Sequence, residues 1–234
     1  MNLINRSIRE THLNLSENNN IIIVNSSDDL HKIINSSSNK TILLSDGNYS
    51  ALELGKNVKN IKIKSKNQWK AIFEGKGGTY CIAFNDTSYN TIEGVSVTNC
   101  SIGMVAKDSH DCSFRFNQIN FSDLYGIYIK NSSKISIENN LIYSKFNQSV
   151  AIKLKQCNYS DIISNIMVIP GKNLIQLNES YTNTLINGFS KEFTDNGNRF
   201  KIINDTQIYK FNDGVLSRFG ASVVQIGSNL WGVC

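Results

Sequence analysis

The sequence predicts an all-β protein, a parallel β-solenoid with three strands to each coil, on three observations. The first is composition: of 234 residues, 33 are Asn, 31 are Ile and one is Pro, and charged side chains make up 18%. A β-branched interior with amide-rich turns has that mixture, whereas a helical bundle or a disordered chain does not. The second is an internal repeat. Five segments align without gaps, beginning at Cys81, Gly103, Gly126, Ala151 and Leu174, in steps of 22, 23, 25 and 23 residues. The third is the pattern inside each unit, where apolar residues alternate, break for a short polar stretch and alternate again, the period-two mark of strands. Units of this length bury a face only by stacking on one another. The LxxLxLxxN pattern of a leucine-rich repeat is absent.

In chain order, residues 1–25 form an N-terminal extension. Ser26 to Ile34 carries a capping hydroxyl, an acidic first turn and i, i+3, i+4 apolar spacing, which predicts a short helix that caps the open end of the solenoid. TILLSDGNYSALEL and NVKNIKIKS follow as irregular coils, and the solenoid with its cap runs over 26–191. In residues 192–234 the repeat register is lost although RFKIIN, QIYKF and ASVVQIG still read as strands, so this segment caps the other end or pairs with another copy in a homo-oligomer.

The repeat assigns side chains to columns. First strands put Ile82 and Phe84, Met104 and Ala106, Ile127 and Ile129, Ile152 and Leu154, Ile175 and Leu177 inside, and Ile92, Phe114, Ile137, Ile162 and Leu185 form a second interior column. Three residues later come Val95, Asn117, Asn140, Asn165 and Gly188. That column reads as a tight turn, with Asn and Gly supplying left-handed backbone and stacked amides bonding along the axis, and with Val95 turning differently. The five cysteines show no CxxC pair and stand where small apolar residues would serve, so buried free thiols are expected.

Two outward columns on the first strand carry the chemistry: Asn85, Lys107, Lys130, Lys155, Asn178, and Ala83, Val105, Tyr128, Lys153, Gln176. Lysines on consecutive coils repel by about 0.8 kcal/mol in water and about 3 kcal/mol at an effective dielectric of 20. Two readings stand. Either the stems lie along the sheet and the ammonium groups disperse into water, relieved by Asp86, Asp108 or Glu179, or the ladder complements a polymer of repeated carboxylates or sulfates. Lys107 and Lys155 would then bind the acid groups and Asn85, Gln176 and Asn178 the hydroxyls. Clustering lowers a lysine pKa, which makes Lys130, beside Lys153 and Tyr128, the candidate general base, with Tyr128 as proton donor. Glu93, Arg115 and Glu138 alternate in sign on the second strand and read as structural pairs. Asp108 to Asp111 falls in a turn, and no first-strand column holds the paired carboxylates of a glycoside hydrolase.

The helix DDLHKII, then KTILLSDGNYS, then coils of the IENNLI type resemble the right-handed parallel β-helix proteins of the pectate-lyase-like superfamily. The opening part is similar to the alginate lyase and chondroitinase B group of polysaccharide lyases. That resemblance implies a lysine that removes the proton beside a uronate carboxylate, an arginine that assists the leaving oxygen, and often a calcium ion that neutralises the carboxylate. No arginine matches, since Arg115, the nearest, falls on the second strand, and no metal ligand set is assigned.

The expected function is action on an acidic, uronate-containing polysaccharide, with β-elimination as the reaction if it cleaves. The alternative is a non-catalytic adhesin or virion-type glycan binder, which the short loops before each first strand favour; the longest holds Lys145, Phe146 and Asn147. The net charge of +5 is spread out, without an arginine-rich stretch, and speaks against nucleic acid. No run of about 18 apolar residues predicts membrane insertion. No secretory signal is read at the start, so an extracellular or virion-associated site would be reached by another route.

Overall fold

In the computed structural model the first turn begins with β1 (Ile21–Val24), passes through α1 (Leu30–Asn35) and returns as β2 (Lys40–Leu44) alongside β1. The structure describes residues 20–146, 148–169 and 174–186, and beyond these the strands 193–196, 199–202, 209–212, 215–218, 224–226 and 230–232. In α1 the Asp29 side chain accepts from the Lys32 N–H, and Leu30 and Ile34 join the core. The expected cap is corrected in its place: the helix lies within the first turn, preceded by β1, which ends its sheet among the described residues.

From β2 the chain winds regularly. β3 (Gly47–Ser50), β4 (Leu52–Leu54), β5 (Ile61–Ser65) and β6 (Ala71–Glu74) lead into the repeats, the first of which is β7 (Tyr80–Asn85), β8 (Thr91–Glu93) and β9 (Ser96–Thr98). There β10 (Ile102–Lys107), β11 (Ser113–Arg115) and β12 (Gln118–Asn120) make one coil, and β13 (Tyr125–Lys130), β14 (Ser136–Glu138) and β15 (Leu141–Tyr143) the next. They are followed by β16 (Val150–Lys155), β17 (Asp161–Ile163), β18 (Ile166–Val168), β19 (Ile175–Asn178), β20 (Tyr181–Ile186), β21 (Phe193–Asn196) and β22 (Arg199–Ile202). Three parallel sheets result: the first from β4, β7, β10, β13, β16, β19 and β21, the second from β1, β2 and every third strand from β5 to β20, then β22, and the third from β3 to β18 in threes. Parallel stacking thus continues to β22. The last four strands, β23 (Tyr209–Asn212), β24 (Val215–Arg218), β25 (Val224–Ile226) and β26 (Leu230–Gly232), attach antiparallel to the first and second sheets.

Strand register matches the sequence columns. Met104 lies between Ile82 and Ile127, Phe114 between Ile92 and Ile137, and these side chains are buried. Phe84 and Phe114 stack inside with centroids 4.8 Å apart, and each buried side chain of this size stabilises by about 1.5–3 kcal/mol. Gly103 and Gly126 admit no side chain, for a Cβ on either would come within 2.4 Å of the Ile119 or Ile142 Cγ2.

The amide column is an axial hydrogen-bond ladder. Asn117 Oδ1 accepts from the Val95 N–H at 3.1 Å, Asn140 Oδ1 from the Asn117 N–H at 2.9 Å, and Asn165 Oδ1 from the Asn140 N–H at 3.0 Å. Their Nδ2 groups donate to the carbonyls of Ile92, Phe114 and Ile137. Two expectations are corrected. The left-handed residues are one position earlier, at Gly94, Phe116, Asn139 and Ser164, with φ of 68°, 56°, 52° and 50°, so the asparagines serve the ladder and not the dihedral. Val95 also follows the same turn, and the ladder ends there because Val95 has no amide to pass on.

A second ladder runs through the interior of the first turn of each coil. Ser109 Oγ accepts from the Thr87 N–H, Ser132 Oγ from the Ser109 N–H and Ser180 Oγ from the Cys157 N–H. The expected buried thiols are Cys112 and Cys157, and burial pushes each up to about 11. Cys81 and Cys100 are instead joined by a disulfide, their Cα atoms 5.7 Å apart, a span that fits such a bond. They stand 19 residues apart, at either end of one coil. Cys234 lies outside the described residues.

Candidate functional site

The outward face of the first sheet carries both predicted columns in register. Lys107 pairs with Asn85 and Lys130, Lys130 with Lys155, and Lys155 with Asn178. In the neighbouring column Tyr128 sits between Val105 and Lys153, and Lys153 next to Gln176. Tyr128 and Lys130 on β13 and Lys153 and Lys155 on β16 therefore stand at the corners of a rectangle, about 4.8 Å across strands and about 6.6 Å along them at the backbone.

The four corners differ in how they are held. Lys153 Nζ donates to Tyr125 Oη at 3.2 Å and lies 5.0 Å from the centre of that ring. Tyr125 in turn packs against Tyr128, centroids 5.1 Å apart. Burial, then the neighbouring Tyr125, raises the Tyr128 phenol above its ordinary pKa, so it stays protonated in neutral solution. Lys107 reaches the carboxylate of Asp108 at 3.7 Å. Among the described residues Lys130 and Lys155 have no carboxylate partner, and Asp86 is engaged by Lys56 at 3.6 Å.

At the N-terminal end of this face Glu53, in register with Ala83, accepts from Tyr80 Oη at 2.5 Å and from Asn85 Nδ2 at 3.0 Å. The Tyr80 bond, then the Asn85 bond, holds the Glu53 carboxyl below its usual range. Asn85 thus has one of its two amide N–H donors committed to Glu53, and its second N–H and its Oδ1 remain to meet a hydroxyl. Beside the face, Lys145 Nζ lies 5.6 Å from the Phe146 ring; Asn147 lies outside the described residues.

Residues 80–230 match the family model described as the right handed beta helix region. The chain belongs to this family. Solved structures similar to the β-helix include Escherichia coli ybhc, at 6% identity and a TM-score of 0.49, covering 71% of each chain. Pectin methylesterase PemA from Erwinia chrysanthemi is 9% identical with a TM-score of 0.45, over 86% of this chain and 85% of that one. The PL6 family alginate lyase AlyGC is 10% identical with a TM-score of 0.46, over 79% of this chain and 34% of that one. No curated protein matches the chain by sequence. No residue role is carried over from such distant likenesses.

The calcium implied by the resemblance needs several oxygen ligands on one ion. Around the ladder the carboxylates of Glu53, Asp86 and Asp108 are each held by a neighbouring side chain, and among the described residues no three His, Cys, Asp or Glu side chains converge. The donor set does not fit that ion, and no chemistry is routed through it.

Sequence reasoning missed Tyr125, Tyr80 and Glu53. The alternation restarts at the tight contact of Gly126, which brings Tyr125, read as loop, onto the end of β13. Glu53 belongs to an irregular coil that the sixteen-position alignment does not reach. The glycines at the head of two consecutive units were the available signal for Tyr125.

Proposed function

We propose that the β-helix holds an acidic, uronate-containing polysaccharide along the outward face of its first sheet and cleaves it by β-elimination. One observation carries this reading: Lys130 and Lys155 stand in register on adjacent coils with no carboxylate among the described residues to neutralise them. Stacked like charges are stabilised by an anionic guest whose charges repeat along the same axis.

In the cleavage, Lys155 and Lys153 face the uronate carboxylate, which lowers the cost of charge developing beside it. Lys130 takes the proton from the adjacent carbon. The electron pair forms the carbon–carbon double bond as the bond to the leaving oxygen breaks, and the Tyr128 hydroxyl protonates that oxygen. Tyr125 fixes Lys153, and Lys107, Gln176 and Asn178 extend the contact along the polymer.

The described outward face of the first sheet carries no arginine, which favours a second reading as a non-catalytic glycan binder. Incubation with alginate, polygalacturonate or chondroitin, followed by ultraviolet absorbance of the unsaturated uronate, separates the two. Absorbance that grows with the native protein and vanishes in Lys130→Ala and Tyr128→Phe, with polymer binding retained, supports elimination. Binding without absorbance leaves the glycan binder, and no binding to any acidic polymer rejects both.

A further inference from the structure

On the outward face of the second sheet, three cations surround one carboxylate. Lys62 Nζ and Arg115 Nε bond Glu93 Oε2 at 2.8 and 2.9 Å, and Lys64 Nζ bonds Oε1 at 2.9 Å. The register of β5, β8 and β11 builds this, for Lys64 pairs with Glu93 and Glu93 with Arg115 across adjacent strands. Burial works to raise the Glu93 carboxyl, but the hydrogen bonds and charges of Lys62 and Lys64 hold it at about 2.

Charge and donors are both in excess. One negative charge faces three positive ones, and an ammonium group has three donors and a guanidinium five. After the bonds to Glu93, about eight N–H donors remain by that inventory. Arg115 is held through Nε, so its two terminal nitrogens, which donate no hydrogen bond among the described residues, form a fixed fork of the kind that matches two oxygens of an oxyanion. Beside the cluster, Thr91 and Ser113 occupy the adjoining outward column with Lys62; their hydroxyls have no partner among the described residues. The next carboxylate in the Glu93 column, Glu138, takes the Ser136 hydroxyl and makes no ion pair with Arg115. Asp161 lies two coils beyond Ser113 in the other column.

We propose that Lys62, Lys64 and the fork of Arg115, with the hydroxyls of Thr91 and Ser113, form a second anion site that takes a tetrahedral oxyanion, sulfate or phosphate, free or as an ester. Glu93 is its internal anchor: it gathers the three cations and leaves two charges for the guest. The site lies on a different sheet from the lysine ladder and does not depend on the glycan reading.

The test follows the Arg115 side-chain Nε–Hε resonance by nuclear magnetic resonance, assigned by its loss in Arg115→Lys. Sodium sulfate, inorganic phosphate, glucose 6-phosphate and dextran sulfate are titrated at constant ionic strength against chloride. A saturable shift is expected, weakened at least tenfold in the Lys62→Ala, Lys64→Ala double variant and unchanged in a Lys107, Lys130, Lys155 triple alanine variant, which removes the ladder alone. Saturation with the free ions assigns a free-ion site; saturation with the esters alone assigns a group carried on a sugar; either supports the proposal. Arg115→Lys keeps the charge and loses the fork, and its amide spectrum reports folding. With sulfate-dependent amide shifts at Thr91 and Ser113 as the second readout, that variant is expected to bind at least tenfold more weakly. A shift no different from that with chloride, or a saturable shift undiminished in the lysine double variant, overturns the proposal.

Discussion

The first and second sheets both gather basic side chains, on adjacent coils in the first and on either side of the Glu93 coil in the second, and they neutralise them in opposite ways. On the second sheet Lys62, Lys64 and Arg115 close on Glu93, whose side chain is only 12% exposed. On the first, Lys130 and Lys155 have no such counter-ion among the described residues, and Lys153 leans on an aromatic ring instead. Cations gathered around an internal acid contribute to the fold, whereas cations stacked without one weaken it slightly and are stabilised only from outside.

The comparison is most sharply tested by removing the charges. Lys107, Lys130 and Lys155 changed together to Ala should weaken acidic-polymer binding by about 100-fold at low salt, at about 1 kcal/mol per lysine. The melting temperature should hold or rise. A fall in stability with binding intact would reverse the roles assigned to the two faces.

Next in size is the acid response of the second sheet. The Glu93 carboxyl is depressed in the folded protein to about 2 from an ordinary 4.5, so its stabilisation is present above pH 4.5 and is lost as pH falls toward 2. Linkage puts this at about 3 kcal/mol at most. Urea unfolding at pH 6 and pH 3 should show a smaller difference in Glu93→Gln than in the native protein. An unaltered difference would mean that Glu93 is not the anchor. Glu53, also depressed, acts with the same sign.

Smaller again is the effect of loosening Lys153. Tyr125→Phe removes the hydroxyl that meets Nζ but keeps the ring, and should weaken polymer binding about threefold, by the ~0.5–1 kcal/mol of one exposed polar contact. A loss as large as that of the triple variant would make Tyr125 a direct ligand contact.

Most of the fold could be read from the chain because a solenoid repeats its evidence. Each interior column is sampled five times, and one departure, such as Val95, does not obscure it. The outward lysine columns were legible for the same reason, since period two fixes the face of every residue once the core is known. What could not be read depends on contacts between coils of unlike sequence: Tyr125 on Lys153, Tyr80 on Glu53, and Lys62 and Lys64 on Glu93. The left-handed corner was misplaced by one residue because Asn suits both such backbone and an amide ladder, and composition does not separate the two. Cys157 shows the same limit from the other side. It occupies the column of Ser109, Ser132 and Ser180, so Cys157→Ser should change stability by less than about 0.5 kcal/mol, measurable by urea unfolding; a larger loss would mean that the thiol packs as an apolar group.

The asparagine ladder has a consequence for how such a molecule changes size. Each rung of amides reads only the floor above and the floor below, so a whole storey can be added or taken away without telling the rest. Any surface stripe on the tower then lengthens in fixed increments, and the reach of a guest lying along it becomes a quantity set by gene duplication.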